Sequence, residues 1–118
     1  MLTPHDIHLW HFHYTTLNRI AALQSTQWLD TQEKQIFATL DPQQQSQWLI
    51  TRNSLKKLLA HYTQQPIALL NITNNKHGKP SLSHSDIHFN LSHTRQQCCI
   101  ALGHRPLGVD LVQIKAYP

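Results

Sequence analysis

Four side chains capable of polar chemistry lie in three short segments near the end of the chain. Lys79 belongs to "HGKPSL", Ser92 and His93 end the apolar run of "FNLSHT", and Asp110 lies between two aliphatic residues in "PLGVDLV". Hydroxyl and imidazole groups at a strand end either cap the backbone or bind an anion. A carboxylate in a buried strand needs a partner. These residue types therefore predict an anion site, with ordinary turns as the alternative.

Length and charge set the scale of the expected ligand. A chain of 118 residues buries roughly two-thirds of its unfolded surface, which suits a single domain over residues 1–118. Ten basic side chains against six acidic ones give a net charge of +4, which favours an anionic partner. The basic residues are spread along the chain without a dense block, which indicates a phosphate rather than a nucleic-acid duplex.

The sequence also predicts a compartment. The first residues, "MLTPHDIHLW", lack the basic start and apolar run of a secretory signal, and no segment reaches the length of about 20 apolar residues that spans a bilayer. Cys98 and Cys99 are neighbours in an apolar stretch, as expected of small buried side chains. We therefore expect a cytoplasmic protein without a membrane partner or a disulfide framework.

Two helices are predicted to support these segments. Asp30 with Glu33 forms a capping-box pattern for a short helix, and Asp41 before a proline starts a second helix that reaches about Tyr62. Its basic flank, Arg52 with its lysine neighbours Lys56 and Lys57, is predicted to be a solvated face.

Strands are predicted around the helices. The segment "DIHLWHFHY" alternates as a strand, and its histidines fit half-buried surface positions better than a zinc site. Four later segments, residues 67–73, 87–91, 97–102 and 107–114, are short apolar pieces between turn residues. The prediction is an α+β domain with a long helix packed on a small, mostly antiparallel sheet.

In this order and at this spacing, the three segments resemble motifs of the 4′-phosphopantetheinyl transferases of the long, Sfp-type class. In that family the three motifs are, in chain order, Gly-Lys-Pro, Phe-Asn-(Leu or Ile)-Ser-His-Ser and Gly-(Val or Ile)-Asp-(Ile or Leu)-Glu. An Arg- and Leu-rich helix precedes the first motif, as "WLITRNSLKKLLAHY" does here. The resemblance covers about residues 28–115 and implies one half of a two-half fold, the N-terminal half.

The resemblance implies an activity and a role for each residue. The family transfers the phosphopantetheine arm of coenzyme A to a serine of an acyl or peptidyl carrier protein, with Mg²⁺ on the pyrophosphate. Coenzyme A would then be bound by Lys79, Pro80, Ser92, His93 and Arg52. The implied catalytic residues are His93, as a donor to the pyrophosphate, and Asp110, as the oxygen ligand of Mg²⁺.

Three departures from the family pattern limit this expectation. Val112 replaces the second acid of the third motif, and Gln47 stands where members carry an arginine that reaches the nucleotide phosphate. A later Trp-x-x-Lys-Glu-Ala helix, which supplies the family's base, does not occur in these 118 residues. We therefore expect an incomplete or weak enzyme. General-base help is typically worth about 10²- to 10⁴-fold.

The sequence allows three other interpretations. The chain is a non-catalytic module that binds coenzyme A or a carrier protein, or it forms a homodimer in which one copy replaces the absent half. A small nucleic-acid-binding domain is the third alternative, but the aromatic residues, among them Trp10 and Trp48, lie at spacings typical of a core.

Overall fold

The computed structural model describes residues 3–74, 76, 79–83 and 85–104. The helices and strands, in chain order, are β1 (Ile7–His13), α1 (Tyr14–Leu17), α2 (Thr31–Ala38), α3 (Pro42–Thr63), β2 (Ile72–Asn74), β3 (Pro80–Leu82), β4 (His88–His93) and β5 (Gln97–Gly103). Short 3₁₀ turns cover Ala21–Gln24 and Ile67–Leu69. The predicted α+β class with one long helix is confirmed. The predicted strand at 107–114 lies outside the described residues.

Both longer helices begin where their capping residues predict. The Asp30 carboxylate accepts a hydrogen bond from the Glu33 amide at 2.8 Å, and the Asp41 carboxylate accepts one from the Gln44 amide at 2.9 Å. Each pair is a complete capping box, which satisfies two amides that a helix start leaves without partners. None of the helices in the described part of the chain is long and apolar enough to cross a lipid bilayer.

The strands form two antiparallel sheets. One has the order β1-β5-β4 and the other pairs β2 with β3. The predicted strand at 67–73 is wrong in its first half, because Ile67–Leu69 is a 3₁₀ turn and the paired strand covers Ile72–Asn74. The turn closes when the Leu69 amide donates to the carbonyl of Pro66 at 3.0 Å, so local backbone bonding replaces a sheet partner there.

The core lies between β5 and α3. Alternate residues of β5 face the helix, which makes Cys98, Ile100 and Leu102 fully buried. On α3 the matching residues are Ile50, Leu55 and Leu59, at most 1% exposed. Burial of a large aliphatic side chain contributes about 1.5–3 kcal/mol, so this contact is the main apolar support of the fold.

Strand β1 is joined to the end of α3 by polar contacts. Trp10 Nε1 donates to the Tyr62 hydroxyl at 2.9 Å, and His8 Nδ1 lies 2.6 Å from the same oxygen. Trp10 is 45% exposed, so the prediction that it belongs to the core is wrong. On the opposite face of this edge strand, Ile7 and Leu9 are 65% and 60% exposed.

A buried charge cluster joins α2 to α3. The Glu33 carboxylate lies 2.5 Å from Lys56 Nζ and 3.3 Å from Arg52 Nη1. Lys56 also donates to the carbonyl of Trp28 at 2.6 Å. The predicted solvated basic flank is therefore wrong for Lys56, which is 6% exposed, and for half-buried Arg52, because a single acid draws both inward. Of the three basic residues, Lys57 is the exposed one.

The neighbouring cysteines, Cys98 and Cys99, are both buried, as predicted. Burial raises the pKa of Cys98 from 9.0 to about 11, and a hydrogen bond to Tyr14 opposes that shift. Burial also raises the pKa of the Tyr14 hydroxyl. Both groups therefore keep their protons in the folded chain at pH values where the unfolded chain loses them.

Replacing Glu33 tests the charge cluster. In Glu33→Gln two buried cations lose their compensating charge, and breaking a buried pair in this way costs about 3–5 kcal/mol. We expect the free energy of unfolding, measured by urea denaturation, to fall by that amount. The exposed control Lys57→Met should stay within about 0.5 kcal/mol of the parent. A Glu33→Gln variant as stable as this control would contradict the cluster's structural role.

The buried thiol makes stability depend on pH. Between pH 9 and 11 the folded state binds more protons than the unfolded state, so the free energy of unfolding falls as pH rises. One such group contributes a slope of at most about 1.4 kcal/mol per pH unit. We expect denaturation curves of Cys98→Ala to lose stability less steeply than the parent over this range. Parallel slopes would contradict the assignment.

Candidate functional site

A cavity of about 350 Å³ lies between the first half of α3 and strands β3 and β4. The helix contributes side chains that recur every three to four positions, which places them on one face. The lining residues are Tyr14, Leu40, Gln44, Gln47, Trp48, Thr51, Arg52, Leu55, Pro80, Leu91 and His93. Its walls are thus largely apolar, with amide, hydroxyl, guanidinium and imidazole groups among them.

Three residues named from the sequence line this cavity. Pro80 comes from the start of β3, His93 from the end of β4 and Arg52 from the middle of α3. They belong to segments up to 41 positions apart in the chain, from Arg52 to His93. The fold brings them to one place because β4 pairs with β5, and β5 packs against α3.

Ser92 and His93 do not face the same side of the sheet. Neighbouring residues of a strand point to opposite faces. His93 shares its face with Leu91, which also lines the cavity, whereas Ser92 pairs with Cys99 in the register of β4 and β5. Ser92 does not line the cavity. The motif predicts that Ser92 and His93 bind the same ligand, but in the structure only His93 faces this cavity.

A second cavity of about 450 Å³ adjoins the first. The two share Gln44, Gln47 and His93, and the second adds Asp41, Gln43, Thr94 and Arg95. We call the combined cleft the α3–β4 groove. His93 is exposed where the two cavities meet, and Arg95 is exposed at the outer end. Arg95 gives the outer half of the groove a positive charge, and His93 adds an imidazole that can donate a hydrogen bond.

Arg52 forms part of the groove wall and shares the Glu33 carboxylate with Lys56. Its guanidinium lies 3.3 Å from Glu33 Oε2 and 5.2 Å from the centre of the Trp48 ring. The carboxylate contact is an ion pair outside the geometry of a directed hydrogen bond. Burial lowers the pKa of Arg52, and the charges of Glu33 and Asp30 oppose that effect. The contacts with Glu33 and Trp48 thus hold the Arg52 side chain in the groove wall without a ligand.

Gln47 connects the two sides of the groove. Its side-chain Nε2 donates a hydrogen bond to the backbone carbonyl of Arg95, in the turn that joins β4 to β5. This contact fixes the start of α3 against the end of β4. The sequence indicated Gln47 only as a departure from the family pattern. Its bridging position depends on a contact between residues 48 positions apart, which no local pattern reveals.

Two hydroxyls at the inner end were also missed as cavity residues. Tyr14 and Thr51 lie 2.7 Å apart through their hydroxyl oxygens, and both line the cavity. Thr51 also donates to the carbonyl of Gln47 one turn earlier at 2.8 Å. The spacing of Trp48 in the sequence indicated a core position. In the structure Trp48 and Thr51 are both half-buried and line the cavity.

The remaining predicted residues lie at the edge of the described structure or outside it. Lys79 is exposed and immediately precedes Pro80, but it does not line either part of the groove. Asp110 lies outside the described residues. The predicted convergence of all four side chains therefore remains a prediction for this pair.

Among the described residues, no three or more His, Cys, Asp or Glu side chains lie close enough together to hold a metal ion. The carboxylate that lines the described groove is that of Asp41, and one of its oxygens already accepts the Gln44 amide at 2.9 Å. Mg²⁺ usually requires one or two available carboxylates in addition to substrate phosphates.

A separate cavity of about 540 Å³ lies at the other end of α3, near Tyr62. His104 Nδ1 and Asp86 Oδ2 lie 3.2 Å apart in its lining. No lysine or arginine is among the described residues that line it. The α3–β4 groove is therefore the better candidate for an anionic ligand.

The groove can bind an elongated molecule with two different ends. Its inner half offers apolar contact with Trp48, Leu55 and Leu91, and its outer half offers hydrogen-bond donors and positive charge. Neither a scan against models of protein families nor a search of curated proteins finds a match for this chain. The functional argument therefore depends on the groove and on the three sequence motifs.

Proposed function

We propose that the chain binds coenzyme A in the α3–β4 groove and transfers its phosphopantetheine arm to a serine of an acyl or peptidyl carrier protein. One observation carries the proposal. Pro80, His93 and Arg52 come from three separate sequence segments that resemble a transferase, and all three line one cavity. Magnesium belongs to the proposal through Asp110, and no step described below depends on it.

The groove matches the chemistry of a pyrophosphate ester. Such a ligand carries one negative charge on each bridging phosphate, and the outer half of the groove presents His93 and Arg95. Hydrogen bonds from charged donors are roughly twice as strong as neutral ones. An organic arm next to the pyrophosphate can lie against the apolar inner walls formed by Trp48 and Leu91.

In the transfer, the serine oxygen forms a bond to the phosphorus that carries the arm, and the bridging P–O bond breaks. The serine loses its proton, and negative charge develops on the departing nucleotide phosphate. His93, as a donor to that phosphate, would stabilise the charge at the moment of cleavage. Loss of one such donor typically lowers the rate about 10²- to 10³-fold.

A module that binds coenzyme A or a carrier protein without transfer is the second candidate. The composition of the described groove favours this candidate. The groups there that could accept the serine proton are the imidazole of His93 and the carboxylate of Asp41, and the carboxylate already caps α3. A base for the serine proton is thus not preformed beside a donor. Binding and transfer must therefore be measured separately.

Binding is tested by calorimetry with coenzyme A. His93→Ala removes a charge-assisted donor, a contact worth about 1.5–3 kcal/mol, so we expect the dissociation constant to rise about 10- to 100-fold. The matched control is His61→Ala, at an exposed position of α3 that lines neither part of the groove. Equal affinity in both variants would remove His93 from the site.

Transfer is tested by mass spectrometry of an apo carrier protein incubated with the chain, coenzyme A and Mg²⁺. A transferase adds the mass of the phosphopantetheine arm to the carrier. We expect that product with the parent and His61→Ala, and a loss of at least about 10²-fold in rate with His93→Ala. Asp110→Ala should also lower the rate, because it removes the proposed magnesium ligand. Tight binding of coenzyme A without a mass change would support the binding module instead.

A further inference from the structure

Two histidines on the outer face of strand β1 lie apart from the α3–β4 groove. We propose that His11 and His13 chelate one divalent transition-metal ion of the kind that prefers imidazole ligands, Cu²⁺ above all. Gln97, on the paired strand β5, positions His11 for that role. Neither histidine lines the groove, so this inference does not depend on the proposed function.

The strand brings the two imidazole rings together. His11 and His13 are two positions apart in an extended strand, so they share one face. Both side chains are exposed, although the sequence indicated half-buried positions. Their ring centres are 5.5 Å apart. Two imidazole nitrogens at about 2.0–2.1 Å from one metal ion, in neighbouring coordination positions, place the ring centres roughly 4.5–5 Å apart. A small rotation of the exposed rings therefore lets both bind the same ion.

A hydrogen bond to β5 sets the tautomer of His11. His11 Nε2 lies 2.5 Å from Gln97 Oε1. An amide oxygen only accepts, so Nε2 carries the hydrogen, and Nδ1 of the neutral ring then keeps its lone pair for a metal. Histidines that bind metals almost always donate their other ring nitrogen to an oxygen in this way, which fixes the ring orientation. The register places Gln97 directly opposite His13, so its side chain lies beside both rings.

The number and type of ligands decide which metal binds. Two imidazoles are fewer than the four protein ligands of a structural zinc site, so water completes the coordination. For a given set of nitrogen ligands, affinity rises from Mn²⁺ to Cu²⁺ and falls again at Zn²⁺. Mg²⁺ prefers oxygen ligands. The pair should therefore bind Cu²⁺ most tightly, Ni²⁺ and Zn²⁺ less tightly, and Mg²⁺ not measurably.

Cys99 lies directly opposite His11 on β5 but does not belong to the proposed site. It is only 3% exposed, and burial raises the pKa of its thiol. A cysteine binds a metal as the thiolate, so this side chain would have to lose its proton and turn outward. The variant Cys99→Ala therefore tests whether the histidine pair is sufficient.

The test is calorimetry of the full chain with CuCl₂ and, separately, with MgCl₂ at pH 7.5. Loss of the partner that orients a ligating histidine typically weakens metal binding about 10- to 100-fold, so we expect Gln97→Leu to weaken the tightest Cu²⁺ site about tenfold and His11→Ala or His13→Ala at least as much. The controls are Cys99→Ala and His61→Ala, the latter at an exposed position of α3. Both should stay within about threefold of the parent.

Electron paramagnetic resonance of the Cu²⁺ complex identifies the ligands. The spectrum should show coupling to two imidazole nitrogens in the parent and in Gln97→Leu, and to one in His13→Ala. Unchanged Cu²⁺ affinity in both histidine variants, an equal loss in His61→Ala, or a preference for Mg²⁺ over Cu²⁺ would overturn the inference. The affinity of His13→Ala for coenzyme A should equal that of the parent, so either this inference or the proposed function can fail without the other.

Discussion

The buried carboxylate of Glu33 makes three polar contacts, on which the packing of α2 against α3 depends. It caps α2 by accepting a hydrogen bond from the Asp30 amide at 3.0 Å, lies 2.5 Å from Lys56 Nζ and lies 3.3 Å from Arg52 Nη1. A buried ion pair is stable only when its desolvation is offset by close contacts and further hydrogen bonds, and here Lys56 has a second partner in the Trp28 carbonyl. The cluster therefore fixes α2 against α3. It also orders the groove wall, where one carboxylate and two cations leave one net positive charge.

The second constraint on the site is the pairing of β4 with β5. Because β5 is the central strand and its alternate residues fill the core, the register of β4 decides which of its side chains face α3. That register turns His93 toward the groove and Ser92 toward the opposite face. A shift of one residue would exchange the two. The chemistry of the groove thus depends on core packing several residues away from it.

Local signals predicted much of the fold. The capping boxes at Asp30 and Asp41 gave both helix starts, and the apolar run of β5 gave the central strand, since both depend on residues close in sequence. The solvated flank of α3 was predicted wrongly because one distant acid reverses the exposure of Lys56. Likewise, the motifs named Pro80, His93 and Arg52 as site residues, but the pairing of Arg52 with Glu33 and the bridge made by Gln47 arise only from tertiary contacts.

The groove also limits how a transfer can proceed. Cleavage of a pyrophosphate needs a donor that holds the departing charge and an acceptor for the proton of the attacking group. One imidazole does not serve both groups in one step, because the donor and acceptor nitrogens of a neutral ring point away from each other and an imidazolium has no free lone pair. Since His93 is the one imidazole among the described residues of the groove, the donor role occupies it. The proton of the attacking serine must then pass to a phosphate oxygen, to water or to a group outside the described groove. The described residues therefore account for ligand binding more fully than for transfer.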